Sequence, residues 1–351
     1  IIAMPQRIHY TSDLATTLEG VLNALSPRGV VVITDSNVLQ AVGPLCPLLT
    51  SQPCLALDPG EENKDLSHLT AAWDWLEDQH ATRDTVVVNI GGGMVTDLGG
   101  LAAATFKRGL RMVNVPTTVL GAVDAAVGGK TGINYHGLKN EIGAFAMATD
   151  VVVSATPLAT LPRQQVLSGF AEMLKHGLLS SADELHRLLE FDPYPIDPEG
   201  WLPRLQTSIE VKQRIVESDP HEHGARRALN LGHTVGHAIE SHALSQGHPV
   251  PHGYAVAWGL VTECVLSHLR AGFPSSLLYP LASTVRSLYG PPPITCDDYD
   301  TLLALMRHDK KSHHGEINCT LLTSPGTPLL DQEIPATELP PALDILRDLI
   351  Q

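Results

Sequence analysis

Three short runs rich in β-branched residues lie in the first third of the chain, and each ends in a turn-forming segment. Gly29–Thr34 (GVVVIT) reads as a buried strand that runs into the polar turn Asp35-Ser36-Asn37. Thr85–Ile90 (TVVVNI) is a second, ending at Gly91-Gly92-Gly93, and Met112–Val115 a third, closed by Pro116. Val95–Phe106, full of small residues, reads as a helix between the last two. Strands alternating with helices predict an α/β layer built on a parallel sheet.

The second half has a different period. Gln165–Leu179, Leu202–Glu217, Leu229–Ala243, Tyr254–Leu269 and Ser275–Leu288 carry helical spacing, with turn-rich breaks at Phe191–Gly200 and Gly290–Pro293. The expected organisation is therefore an α/β nucleotide-binding domain over residues 1–160, with a boundary near Thr160-Leu161-Pro162. A mainly α-helical metal- and substrate-binding domain follows over residues 161–351. No internal repeat or low-complexity segment interrupts this plan.

Composition narrows the functional classes. With 43% hydrophobic and 17% charged residues the chain is globular, and charged residues interrupt every apolar run short of a membrane span. A net charge of −15 disfavours nucleic acid and anionic lipid as partners. Five scattered cysteines without CxxC spacing suggest reduced thiols in a cytoplasm. Ile1–Tyr10 shows no secretory pattern, and no fused downstream domain is expected. Lysine is scarce: Lys64, Lys107, Lys130, Lys139, Lys175, Lys212, Lys310 and Lys311 are the only eight, mostly within motif-like segments. That placement suggests a small, highly anionic substrate.

Two segments carry recognisable chemistry. Three glycines after a strand let the backbone turn tightly and approach a ligand, while the next helix N-terminus offers free N–H groups to a pyrophosphate. The run is not GxGxxG, and by itself it fits a tight turn as well as a cofactor loop. Asp35 and Asp97 suit a ribose or an amide, although each taken alone is more often a helix cap. In Arg226–His237 (RRALNLGHTVGH), His233 and His237 stand four apart on one helical face, behind Arg226 and Asn230. Such a pair suits a divalent metal, one ligand plus one acid/base, or a solvated histidine-rich helix.

Taken together, the motifs resemble those of the 3-dehydroquinate synthase family of sugar phosphate cyclases. The resemblance runs through Gly91–Gly100 (GGGMVTDLGG), Pro116-Thr117-Thr118, Asp124, Val127–Asn134 (VGGKTGIN), Lys139-Asn140 and Ile142–Phe145. It continues through Thr160-Leu161-Pro162, Ser168–Glu172 with Lys175, Lys212, the Arg226–His237 segment, His252-Gly253 and Asp309-Lys310-Lys311. It spans roughly residues 30 to 325 in uninterrupted order. Two positions depart from the family pattern. Tyr254 stands where Glu usually follows His-Gly, and Glu141 where an apolar residue is commoner.

The resemblance implies an enzyme that binds NAD, one divalent metal (zinc or cobalt) and a sugar-acid phosphate. The reaction implied is cyclisation of 3-deoxy-D-arabino-heptulosonate 7-phosphate to 3-dehydroquinate with loss of phosphate, in the shikimate route to aromatic amino acids. Transient oxidation by NAD, phosphate elimination, re-reduction and an intramolecular aldol would follow in turn, making the enzyme a lyase. Glu172, His233 and His252 match the metal ligands, and His237 the base. Asp35, Asn37, Glu61, Lys64, Gly92, Gly93, Asp97, Thr117, Thr118, Lys139 and Thr160 match cofactor contacts, to which Lys130 is added. Asp124, Lys130, Asn140, Lys175, Lys212, Arg226, Asn230 and one or both of Lys310 and Lys311 match substrate contacts. Arg108 matches a phosphate-binding arginine given by the neighbouring subunit, which implies a homodimer.

Other classes leave different traces. Cyclases that make 2-deoxy-scyllo-inosose or 2-epi-5-epi-valiolone typically lose the VGGKTGIN segment or the Arg-x-x-Leu-Asn pattern, and this chain keeps both. A metal-dependent polyol dehydrogenase would release NADH and would not need Lys130, Lys175, Lys212 and Arg226. A non-enzymatic metal or nucleotide sensor would keep ligands and lose the acid/base set. Glu172 also has a plainer alternative, a surface carboxylate paired with Lys175 at i+3.

Overall fold

The computed structural model describes residues 6–136, 138–307 and 317–351. The strands are β1 (Arg7–Tyr10), β2 (Gly29–Asp35), β3 (Cys54–Leu57), β4 (Thr85–Gly91), β5 (Arg111–Pro116), β6 (Lys130–Tyr135), β7 (Leu138–Phe145), β8 (Asp150–Val153), β9 (Ile317–Ser324) and β10 (Thr327–Ile334). Six of them form one sheet in the order β1-β8-β5-β4-β2-β3, and every pair in it is parallel. The three expected strands are its centre, each one or two residues longer than expected. Residues of β4 are buried along its whole length, which is why that segment reads as a near-continuous apolar run, interrupted by Asn89, and not as alternation. Val86, Val88 and Ile90 pack with Val32, Val113 and the helix Leu14–Leu25, while Gly99 of the helix Gly93–Thr105 presses against Asn89 on the other face. A fully buried valine in such a layer contributes about 1.5–3 kcal/mol relative to exposure.

Chain order in the sheet reverses between β2 and β4. From β2 the chain steps outward to β3, then returns past β2 to lay down β4 and β5 on the other side. In open parallel sheets, ligands settle at the carboxyl ends of the strands flanking such a reversal. The short edge strands β1 and β3 and the equally short inner strand β8 are too brief to give a periodic signal in sequence. The antiparallel hairpin β6–β7 is likewise unforeseen, although it carries Lys130, Lys139 and Asn140.

Two compact units emerge, one comprising Ile1–Val166 with Tyr194–Gln213, the other Leu167–Pro193 with Arg214–Gln351. The single cut expected near residue 160 thus becomes three crossings. The helix Pro198–Ser218, expected in the helical half, belongs for most of its length to the first unit, where Lys212 bonds to Asp124.

The second unit is built around the helix His252–Ala271. Every residue from Ala255 to Ser267 is buried, the mark of a helix surrounded on all sides. Two of its glycines permit backbone contact with neighbours. A Cβ on Gly253 would lie 1.9 Å from the Ser168 carbonyl oxygen of the helix Arg163–Ser180, and one on Gly259 would lie 1.9 Å from the Gly232 carbonyl oxygen. The expected helix Leu229–Ala243 is corrected here. Ala225–Asn230 forms a separate 3-10 turn, Gly232 adopts φ 79°, and the α-helix starts at His233. The hairpin β9–β10, around a Pro325-Gly326 turn, was not foreseen, and the unit is otherwise mainly helical as expected. Among the described residues, no helix is long and apolar enough to cross a membrane.

Candidate active site

In the first unit, the polar residues gather at the carboxyl ends of β2, β4 and β5. The Thr34 hydroxyl donates to the Ile90 carbonyl at 2.7 Å, tying β2 to β4 across the reversal point. Asp35 ends β2, and its carboxylate accepts the Val38 N–H at 2.9 Å, so it does cap a helix as well as face the strand ends. Burial raises its pKa despite that N–H. Asn37, in the first turn of that helix, is exposed. Gly92 and Gly93 open the helix Gly93–Thr105, and no side chain caps its first turn. Its N–H groups therefore remain available to an anion. Thr117, just after β5, is buried with a hydroxyl that meets no hydrogen-bond partner, while the Thr118 hydroxyl accepts the Gly121 N–H. A buried orphan hydroxyl beside an uncapped helix start fits a nucleotide.

Asp97 lies one turn into the same helix and meets the buried Lys64, whose ammonium is 3.1 Å from Asp97 and 2.8 Å from Glu61. Burial drives the Asp97 pKa up to about 6 against the opposing charge of Lys64. Burial likewise opposes the Lys64 charge, yet Asp97 and Glu61 hold it above the ordinary lysine value. Asn134 joins this group by donating to the Glu61 carbonyl and carboxylate, and its own side-chain oxygen accepts the Asn140 N–H at 2.9 Å. Sequence reasoning quoted Asn134 within a motif without giving it a role.

Asp124, in a π-helical turn, pairs with Lys212 at 2.5 Å. Lys130, Lys139 and Asn140 are exposed on the β6–β7 hairpin, and Thr160 is exposed at the end of a 3-10 turn. Arg108 is exposed directly after Lys107, both with positive φ (67° and 48°), where the chain kinks out of its helix. Lys310 and Lys311 lie outside the described residues.

The second unit converges on four side chains. Glu172 is fully buried on the helix Arg163–Ser180, so it is no surface carboxylate, although the expected pairing with Lys175 is present. Its Oε1 lies 3.4 Å from Nε2 of His233 and 3.6 Å from Nε2 of His252. Oε2 is the oxygen that pairs with Lys175, which leaves Oε1 turned toward the two imidazoles. His233, His237 and His252 bring one ring nitrogen each within 4.8 Å of one another. Two carboxylate lone pairs and three imidazoles around one small volume are the donor chemistry of a divalent metal such as zinc.

The outer faces of His252 and His233 are also tied. Nδ1 of His252 lies 3.2 Å from a Glu240 carboxylate oxygen, and Nδ1 of His233 lies 3.1 Å from the Leu231 carbonyl. Each bond leaves Nε2 directed at the cluster, as metal-binding histidines require. Burial works against a charged His252, but Glu172 and Glu240 raise its pKa to about 9. Burial also opposes the Glu172 carboxylate, which Lys175 and His233 nevertheless hold well below the usual range. Glu240 was missed from the sequence, yet its spacing of three from His237 and seven from His233 placed it on the same helical face. Arg226 is buried and donates to the Pro220 carbonyl at 2.8 Å; Asn230 ends its 3-10 turn.

Comparison with known proteins agrees with both halves. The family model for the 3-dehydroquinate synthase N-terminal region matches residues 54–168, and that for the C-terminal region matches residues 169–312. A 3-dehydroquinate synthase of Parabacteroides distasonis is 42% identical over 346 residues, covering 98% of each chain. Among solved structures, a 2-epi-5-epi-valiolone synthase from Streptomyces hygroscopicus, with NAD+ and Zn2+ bound, superposes with a TM-score of 0.83 at 22% identity, covering 99% of this chain and 98% of that one. A 2-deoxy-scyllo-inosose synthase complexed with carbaglucose-6-phosphate, NAD+ and Co2+ gives 0.82 at 24% identity, covering 97% and 96%.

Proposed function

Because the chain belongs to the 3-dehydroquinate synthase family, we propose that it converts 3-deoxy-D-arabino-heptulosonate 7-phosphate to 3-dehydroquinate and phosphate, with NAD and one divalent metal (zinc or cobalt) as cofactors. The observation that carries the proposal is Glu172, a fully buried carboxylate whose Oε2 pairs with Lys175 while its Oε1 faces Nε2 of His233 and of His252. A buried oxygen and two imidazole nitrogens turned toward one another are the donor set of a divalent metal.

Glu172, His233 and His252 would hold the metal, and Asp35, Asn37, Glu61, Lys64, Gly92, Gly93, Asp97, Thr117, Thr118, Lys130, Lys139 and Thr160 the NAD. When bound, the metal acidifies substrate hydroxyls and NAD takes up and returns one hydride, which makes the overall reaction a lyase reaction with no net redox change. His237 shares a helical face with His233 and accepts the hydroxyl proton without itself being needed as a ligand. Lys175, Arg226, Asn230, Asp124, Lys130, Asn140 and Lys212 bind the carboxylate, phosphate and hydroxyls of the substrate. Free cysteines throughout the chain suit a reducing cytoplasm.

Arg108 would act on the phosphate of a partner subunit's substrate in a homodimer. Mixing Arg108→Ala with His237→Ala protein should then restore activity on subunit exchange, and failure in proven heterodimers would remove Arg108 from that role.

Incubating the protein with NAD, zinc and the heptulosonate phosphate tests the whole reading. The expected result is one phosphate per dehydroquinate with no net NADH. Steady accumulation of NADH would identify a polyol dehydrogenase instead.

A further inference from the structure

The imidazole of His233 rests on the Leu231–Gly232 peptide, and that peptide has a second partner. Its carbonyl oxygen lies 3.1 Å from His233 Nδ1, while its N–H donates to Oε2 of Glu263 at 2.7 Å. The other oxygen of the same carboxylate accepts the Val235 N–H at 3.4 Å. Glu263 belongs to the helix His252–Ala271 and is fully buried. No side chain of its own segment caps the helix His233–Ser245, so a carboxylate from a neighbouring helix does.

A cap alone does not require a charge, because serine, threonine or asparagine caps a helix as well. Burying an anion is unfavourable unless hydrogen bonds or nearby charge offset its lost hydration, and two backbone N–H groups serve Glu263 here. Here one peptide separates that charge from a ring nitrogen. We propose that Glu263 is a positioning residue for the metal ligand His233, acting through the Leu231–Gly232 peptide as a carboxylate–peptide–imidazole relay. Donation of the Gly232 N–H to an anion polarises the peptide and makes the Leu231 oxygen a stronger acceptor. That acceptor fixes the proton on Nδ1 and makes Nε2 a better donor to a metal. Carboxylates that act directly on a ligating histidine do the same work. His252 has such a direct partner in Glu240, whereas His233 reaches its carboxylate through one peptide.

The proposal rests on His233 being a metal ligand, and the test separates the two. Glu263→Gln keeps the shape and an acceptor for the Gly232 N–H but removes the charge. Zinc affinity is measured by chelator competition, and the melting temperature of the metal-free protein is measured beside it. The expected result is a zinc dissociation constant raised about 10–100-fold, the usual scale for losing an outer partner of a ligand. An unchanged dissociation constant, whatever happens to melting, reduces Glu263 to a cap and overturns the relay. Ser267→Ala is the reference for purely structural loss, since that buried hydroxyl on the same helix accepts the Leu322 N–H. If Ser267→Ala weakens zinc as much as Glu263→Gln, the relay is again overturned. Should Glu263→Gln fail to fold, Glu263→Asp, which keeps the charge but withdraws it from Gly232, is measured in the same way, and unchanged affinity there counts against the relay. His233→Ala isolates the premise: retention of zinc in that variant refutes the ligand assignment, not the relay.

Discussion

At the carboxyl ends of β2, β4 and β5 the chain offers mostly backbone: an uncapped helix start, glycines that keep side chains away, and one orphan hydroxyl. The charged groups nearby, Lys64 with Glu61 and Asp97, are already paired with one another. In the second unit the reverse holds. Glu172, His233, His237 and His252 are all side chains, and the carboxylate among them is fully buried. A site made of backbone tolerates change in the identity of neighbouring residues but not in their bulk. One made of donors tolerates neither loss of a donor nor a change in its proton count.

That contrast can be broken in order of effect. Glu172→Ala should lose the metal and all turnover. It should also strand the buried Lys175 ammonium, at a cost of about 3–5 kcal/mol in stability. Metal content and melting temperature on one preparation measure both, and stoichiometric zinc in the variant would remove Glu172 from the ligand set.

His237→Asn should keep zinc and NAD yet slow turnover by roughly 10²–10⁴-fold, the scale of general acid–base loss. Loss of zinc would make His237 a ligand, which the mutual closeness of the three histidines also permits geometrically. An unchanged rate per folded molecule would leave it a packing residue.

Between about pH 7 and 9, above the Asp97 transition near 6, acidity should act mainly on the second unit. Without metal, His252 holds its proton up to about pH 9, so metal must expel it. Zinc affinity should therefore climb by about tenfold per pH unit towards that value and flatten above it. Stability of the metal-free protein runs the other way: the raised pKa of His252 contributes fully below its unfolded value and is lost as pH rises through about 9. Calorimetric titration across this range, with NAD as the indifferent ligand, checks the asymmetry.

The smallest effect belongs to the backbone site. A Cβ on Gly91 would come within 2.5 Å of the Val95 side chain. Gly91→Ala should push the helix start away from the strand, weaken NAD several-fold and cost about 1–3 kcal/mol, with zinc affinity unaltered. A fall in zinc affinity of the same size would mean that the two sites are not independent.

How far this was legible depended on the range over which each signal acts. β2, β4 and β5 announced themselves because strands buried on two faces must be apolar throughout, and the histidine spacing survives on any helix. The start of that helix was misjudged by four residues, because Gly232 breaks the chain to make room for the helix His252–Ala271, a constraint set by residues distant in sequence. Glu240 was readable from spacing alone. Asn134 gained its role from bonds to Glu61 and Asn140, on segments that only folding brings together. The helix Pro198–Ser218 was assigned to the wrong half because its period says nothing about which core it joins.

Gly253 and Gly259 press the helix that carries His252 against the helix of Glu172 and against the residue preceding His233. Where backbones touch there is no side chain left to compress, so the separations among the three donors have no soft coordinate along which to drift. Evolution then has an unusual lever here. A single methyl group at either glycine would spread the donors apart without altering one of them, so a lineage could lose the proposed metal while every proposed ligand remained in the sequence. A survey of the ligands alone would count such a protein as active; reading positions 253 and 259 would expose it.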